Sequence, residues 1–223
     1  MVKVITFLKR KPDMSVEDFQ RYWLTRHPAV VVRLPGVRRY VQSHTLPSAY
    51  KKGEPVYDGI AEVWADDTNA LRAMTRGPEN AAVQADEAQF IDRARMGVIV
   101  TEEHVLVDGA PGSDAVKAVE FLVRQPGMPV DDFQRHWRET HGPLLARIPG
   151  LRRCVQSATR RSAYEAGRVP AHDGATLMWF DSPEALRAAA ASPEYAAAVA
   201  DRPRFLGPGE PPFIVTREHV IVA

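Results

Sequence analysis

The sequence predicts an α+β protein built from two ferredoxin-like units packed sheet to sheet, and three observations predict it. The chain is written twice, and each copy reads βαββαβ. Helices on one side of a four-stranded antiparallel sheet also leave the other side in need of cover. Val16–Trp23 (VEDFQRYW) returns as Val130–Trp137 (VDDFQRHW), Leu34–Ser43 returns as Ile148–Ser157, and Ser48–Tyr50 returns as Ser162–Tyr164, all at an offset of 114 residues. One residue is then inserted, and at an offset of 115 Asp58-Gly59 answers Asp173-Gly174, Trp64 answers Trp179, Pro78-Glu79 answers Pro193-Glu194 and His104 answers His219. The first repeat is drawn at 1–107, the second at 115–223, and the small, polar stretch 108–114 reads as a linker. If the two bare sheet faces pack together, one chain makes internally the barrel-like body that two half-length chains would make as a dimer. The expected state is a monomer with a pseudo-two-fold core, or a homodimer of it.

The elements of the first repeat follow in order. Val2–Leu8 is β-rich and apolar on both alternating faces, so it reads as a covered, central strand. Ser15, with Asp18 three positions on, resembles a capping box and opens a helix whose Phe19, Trp23, His27 and Val30/Val31 recur at helical spacing, a single stripe facing the sheet. Pro35-Gly36 stops it. Val37–Ser43 and Ile60–Trp64 read as strands, the second after the Asp58-Gly59 turn cue. Thr68–Thr75 and Pro78–Asp86 are alanine-rich helical segments, and Val98–Val107 is the last strand.

Composition excludes several functions. The chain has 223 residues, 45% hydrophobic and 26% charged, with 29 Lys+Arg against 28 Asp+Glu for a net charge of +1, so nothing condenses it on phosphates and nucleic acid is not an expected partner. No apolar run approaches the ~20 residues that span a bilayer, so no membrane partner is expected either. Lys9, Arg10 and Lys11 follow the first apolar stretch instead of preceding it, the reverse of an export signal, which makes the cytoplasm the default location. The lone Cys154 argues against a disulfide framework or a structural zinc site, and the absence of GxGxxG, GxxxxGK[ST], GxSxG and HExxH leaves nucleotide-driven, serine-hydrolase and zincin chemistry without a foothold. Neither a cofactor nor a metal is expected.

The histidines carry the candidate chemistry. His27 follows Trp23 by four residues and Phe19 by eight, so it projects from the buried face of its helix, and His141 repeats this geometry with Phe133 and Trp137. An imidazole there suits general acid or base work, or a structural bond to a carbonyl. Asp58 and Asp173 stand at strand starts, where each would orient a histidine or cap the Asp-Gly turn. Tyr40 offers a hydroxyl donor for a developing oxyanion. His104 and His219 lie on last strands, where an edge role competes with contact to a substrate. The halves differ where chemistry would sit: Tyr40 becomes Cys154, Tyr22 becomes His136, Tyr57 becomes His172, His44 becomes Ala158 and Glu62 becomes Leu177, which favours the first half as the active one.

The run from Arg10 through Pro12, Met14, Phe19, Trp23, His27-Pro28, Pro35-Gly36-Val37-Arg38-Arg39-Tyr40, Asp58-Gly59 and Glu103-His104 resembles the EthD family of the dimeric α+β barrel superfamily. So does its counterpart from Arg124 through Phe133, Trp137, His141-Gly142-Pro143, Pro149-Gly150-Leu151-Arg152-Arg153, Asp173-Gly174 and Glu218-His219. The resemblance covers nearly all of the chain outside the linker, and Cys154 departs from its tyrosine. It implies an intramolecular dimeric α+β barrel with a cavity between each sheet and its helices. Related barrels include lactone isomerases, quinol-forming monooxygenases and heme peroxidases, so fold analogy alone does not choose an activity.

The function expected is that of a cofactor-independent enzyme, a lyase, dehydratase, cyclase or isomerase, acting on a small aromatic or polyketide-like carbonyl compound. Its catalytic candidates are His27, Asp58, Tyr40, His141 and Asp173. Trp23, Trp64, Gln42 and His104, with Trp137, Trp179, Gln156 and His219, are the expected substrate contacts. The alternatives are a non-catalytic binding protein for a hydrophobic metabolite and a heme- or oxygen-dependent oxidoreductase.

Overall fold

The computed structural model describes residues 1–223 apart from the side chain of Lys52. In chain order the elements are β1 (Val2–Leu8), α1 (Val16–Thr25), α2 (Pro28–Val31), β2 (Arg39–Thr45), β3 (Gly59–Ala65), α3 (Thr68–Arg76), α4 (Pro78–Phe90) and β4 (Gly97–Asp108). The second copy continues with β5 (Val116–Leu122), α5 (Val130–His136), α6 (Gly142–Leu145), β6 (Leu151–Thr159), α7 (Arg161–Glu165), β7 (Gly174–Phe180), α8 (Pro183–Ala190), α9 (Pro193–Asp201) and β8 (Phe213–Val222). Each copy is therefore an α+β unit in the expected order, with its first helix and its last helix pair following a strand. Contacts divide the chain into Met1–Thr101 with Thr216–Ala223, and Glu102–Val215, so the ends of the two long last strands are counted with the other copy's residues.

In the first unit β1 lies between β3 and β4, and β2 lies between β3 and the end of β8. All these pairings are antiparallel, with Val4 opposite Val63, Ile5 opposite Ile99, and Gln42 opposite both Ala61 and His219. Period-two alternation then sorts the side chains. Val4, Thr6 and Leu8, Tyr40, Gln42 and His44, and Ala61 and Val63 share the helix-covered face. Lys3, Ile5, Phe7, Val41, Ile60 and Glu62 share the opposite face, which is buried as well, with Lys3 and Glu62 ion-paired at 3.1 Å. The second unit repeats the arrangement around β5, β7 and β6, with Val119 opposite Leu177 and Gln156 opposite Thr176.

Local signals explain the helix starts. Ser15 caps α1 by accepting the Asp18 N–H at 3.0 Å, and its hydroxyl donates back to the Asp18 carboxylate at 2.7 Å. Phe19 and Trp23 are fully buried and pack with Leu8, Phe90 and Ile91 under the sheet. The continuous stripe from Phe19 to Val31 is corrected by the structure. Pro28 has no N–H and its ring would collide with the carbonyl four residues back, so α1 ends at Thr25 and α2 begins at Pro28. Between them the His27 N–H reaches the Tyr22 carbonyl at 3.3 Å, one residue further back than an α-helix would take it. The second copy makes the same wide turn as a one-turn π-helix over Trp137–His141.

Candidate active site

The wide turn after α1 aims His27 at α4. Its Nδ1 lies 2.7 Å from Asp86 Oδ2, while the Tyr22 hydroxyl donates to Asp86 Oδ1 at 2.8 Å. Because the carboxylate accepts, the Nδ1–H tautomer is fixed and Nε2 is left free as a base. The ring rests against Phe90 at 5.1 Å and only 5% of the residue is exposed. Burial lowers the His27 pKa below its ordinary 6.5, outweighing the hydrogen bond and charge of Asp86, so the imidazole is neutral at pH 7. A neutral, oriented imidazole with a carboxylate behind it is the arrangement that proton abstraction requires.

His27 lines a cavity of about 240 Å³ between the helix-covered sheet face and α2, α3 and α4. Its walls are mainly apolar, from Val4, Leu8, Val31, Ala61, Val63, Met74, Val83 and Ile91, and a few polar groups interrupt them: Thr6, Tyr40, Asn80, Gln84, Glu87 and Arg93. Tyr40 is almost wholly buried, and burial holds its hydroxyl well above the ordinary phenol pKa, so it stays a neutral donor. Glu87, next to Asp86 on α4, has its pKa raised by burial and by the Asp86 charge, against an opposing pull from Arg93. A carboxyl that holds its proton more tightly can serve as a general acid.

The second copy keeps the pair but not the polar lining. His141 Nδ1 lies 3.0 Å from Asp201 Oδ2, and His136, at the place of Tyr22, reaches the same oxygen at 3.0 Å. Burial drops His141 to about 4, against the hydrogen bond to Asp201. Thr6, Asn80 and Glu87 correspond to Glu120, Tyr195 and Arg202. Those three bind one another: Arg202 ion-pairs with Glu120, meets the Tyr195 hydroxyl at 3.4 Å and lies over the Tyr195 ring at 5.7 Å. Cys154, in the place of Tyr40, is fully buried, and burial pushes its thiol up.

The other expected site residues lie elsewhere. Asp58 does not meet His27: it accepts from the Arg10 backbone N–H at 2.9 Å, the Arg10 guanidinium at 2.6 Å and the Tyr50 hydroxyl at 2.6 Å, with Lys9 at 3.3 Å. Asp173 repeats this with Arg124 and Tyr164. Both carboxylates tie the chain after the first strand to the start of the third. Trp23 is stacked flat on His44 at 4.2 Å and does not line the cavity. Trp64 is on the opposite sheet face, with Lys3 at 5.2 Å and Arg39 at 5.0 Å from its ring, and Trp179 takes the same position beside Lys117 and Arg153. Gln42 and Gln156 are buried and donate to the carbonyls of Trp23 and Trp137 at 2.8 and 2.7 Å. Trp137 packs on Phe133, His104 is exposed on β4, and His219 meets the edge of His44 at 4.6 Å. Of the catalytic candidates, the cavity brings together His27 and Tyr40. Asp86, Glu87 and Asn80 are additions that the sequence reading missed. A signal for Asp86 existed: it recurs as Asp201, and it shares helical spacing with Val83 and Phe90, both buried.

A family model of the EthD domain matches residues 11–94 and, a second time, 125–209. The chain belongs to the EthD family. It is a tandem EthD protein, with both copies carrying the His–Asp pair. No curated protein sequence matches it. Among solved structures, an anthrone oxidase-like protein is 16% identical and superposes with a TM-score of 0.66, covering 100% of this chain and 93% of the other. A dye-decolorizing peroxidase from Bacteroides thetaiotaomicron (9% identity, TM-score 0.52, 96% and 92% covered) and a mutant chlorite dismutase from Candidatus Nitrospira defluvii (10%, 0.51, 99% and 91%) are similar too. At these identities the likeness is one of fold. Among the described residues no group of three or more His, Cys, Asp and Glu is placed to hold a metal, and no helix is long and apolar enough to cross a membrane.

Proposed function

We propose that the first EthD copy is a cofactor-independent catalyst of proton transfer on a small aromatic or polyketide-like carbonyl compound. The observation that supports it is the His27–Asp86 pair at an apolar cavity that also holds Tyr40 and Glu87. His27 Nε2 takes a proton from carbon next to the carbonyl, and the C–H electron pair becomes an enolate whose oxygen accepts the Tyr40 hydroxyl. Asp86 stabilises the imidazolium. Return of the proton to another atom gives isomerisation. Expulsion of a β-hydroxyl, with a proton from Glu87, gives an alkene and water. The apolar walls lower the local polarity, which strengthens each of these polar contacts. A volume of about 240 Å³ lies below the roughly 300–1,000 Å³ of pockets for drug-sized ligands, which favours a compact substrate over a macrocycle such as heme.

The test is deuterium wash-in. Small aryl alkyl ketones that carry a C–H next to the carbonyl, acetophenone among them, are incubated in D2O and followed by mass spectrometry, with the uncatalysed rate subtracted. Enzyme-dependent labelling that falls about 10²- to 10⁴-fold in His27→Gln supports the proposal. Tight binding of such ketones without any labelling or conversion would instead make the protein a carrier of hydrophobic metabolites.

A further inference from the structure

Behind the cavity Tyr40 is joined to a buried network whose other members, Gln42 and His44, take no part in these steps. The Gln42 amide nitrogen donates to the Trp23 carbonyl at 2.8 Å and to the Tyr40 hydroxyl oxygen at 2.8 Å, and its Oε1 lies 3.0 Å from His44 Nε2. A backbone carbonyl only accepts, so the amide orientation is fixed: nitrogen toward Trp23, oxygen toward His44. His44 must then carry its proton on Nε2. The imidazole itself is held flat against the Trp23 indole. Tyr40 oxygen accepts from Gln42, and its own proton has no acceptor among the described residues, while Tyr40 is one of the residues lining the cavity.

From this geometry we infer that His44 is a positioning residue, which acts through Gln42 to hold Tyr40 as a hydroxyl donor to an oxyanion in the first copy's cavity. The second copy supplies an independent argument. Gln156 keeps the bond to the Trp137 carbonyl, yet Tyr40 and His44 are replaced together, by Cys154 and Ala158. The glutamine by itself thus serves the fold, and the two ends of the network come and go as a pair. A polarised chain of donors strengthens the last one, which here is the phenol. The inference rests on the cavity's reading as a carbonyl site, and it narrows the ligand to one that presents an enolate or phenolate oxygen.

The probe is 4-nitrophenol, titrated by absorbance above its pKa so that the phenolate is the ligand. Tyr40→Phe should weaken binding about tenfold or more, the range set by a hydrogen bond to a charged group. His44→Ala should weaken it by a comparable factor, the double variant should bind no worse than Tyr40→Phe alone, and His44→Gln, whose amide can donate to Gln42, should recover most of the loss. Circular dichroism of each variant checks that it folds. Wild-type affinity in His44→Ala would overturn the inference, as would full additivity of the two losses or an absence of phenolate binding to the wild type. Binding that behaves as stated without any His27-dependent turnover would leave this assignment standing and end the proton-transfer reading.

Discussion

At the scale of single residues the site reduces to an imidazole with its tautomer fixed. The spacing of His27 after Phe19 and Trp23 pointed it inward, and it is buried, but it gets there through the wide turn that ends α1 and not through one helical register. Its carboxylate was not readable in the sequence, because the conspicuous Asp-Gly context belongs to Asp58, and a lone aspartate in an alanine-rich helix says little about its partner across space. The structure gives Asp58 to Arg10 and Tyr50, and Asp86 to His27. Replacing Asp86 with Asn keeps the volume but lets an amide donate to Nδ1, which moves the ring proton to Nε2 and removes the base. Asp86→Asn should therefore lower turnover by a factor approaching that of His27→Gln, while its thermal midpoint changes little. The pH dependence has a defined sign. Since the His27 pKa is lowered by burial and the neutral imidazole is the base, the acid limb of kcat/KM should be centred below the ordinary 6.5. A limb centred at or above 6.5 would contradict the assignment.

At the scale of elements, capping and alternation carried most of the reading. The Ser15 cap, the period-two strands and the paired helices all lie where local chemistry put them, because each signal acts within a few residues. Two features escaped. One was the break at Pro28, where the helical spacing of Val30 and Val31 masked the missing N–H. The other was the reason for Gly59 and Gly174, which were read as turn residues. Both lie beneath an indole: a Cβ at Gly59 would stand 2.5 Å from the Trp23 ring and 2.5 Å from the Ser43 carbonyl, and one at Gly174 would stand 2.7 Å from Trp137. Neither the backbone nor a buried tryptophan can retreat, so the glycine is there for close approach. Gly59→Ala should cost about 1–3 kcal/mol by the usual penalty of overpacking, read as a drop in denaturant midpoint. A change within error would show that Trp23 and the Ser43 carbonyl can give way to a methyl group.

At the scale of the whole molecule the duplication was the most legible feature and also the least informative about function, since it preserves residues for packing as readily as for chemistry. Both copies keep His, Asp and the tryptophan over glycine. Only the first keeps an open set of polar groups around the imidazole, because Glu120, Tyr195 and Arg202 engage one another in the second. That exchange crosses three elements and is invisible until they are packed. Buried histidines also shape stability. Burial lowers His172 and His141 to about 4 and His44 to about 3, whereas the unfolded chain takes up protons near 6.5. Below pH 6.5 the unfolded state then binds more protons than the native one, so this contribution is complete above 6.5 and is lost as the pH falls toward 4. His172→Tyr, which installs the residue of the first copy, should make the fall in urea midpoint between pH 7 and 4.5 shallower. An unchanged slope would assign the acid limb to other groups.

The two copies are alike in fold, and under the proposed reading only the first acts on a substrate. A crystal structure with a small aryl alkyl ketone bound decides this. The ketone is expected in the first copy's cavity, its carbonyl oxygen at the Tyr40 hydroxyl and its adjacent carbon facing His27 Nε2, with nothing bound beside His141. Ligand seated beside His141, or away from both histidines, would contradict it.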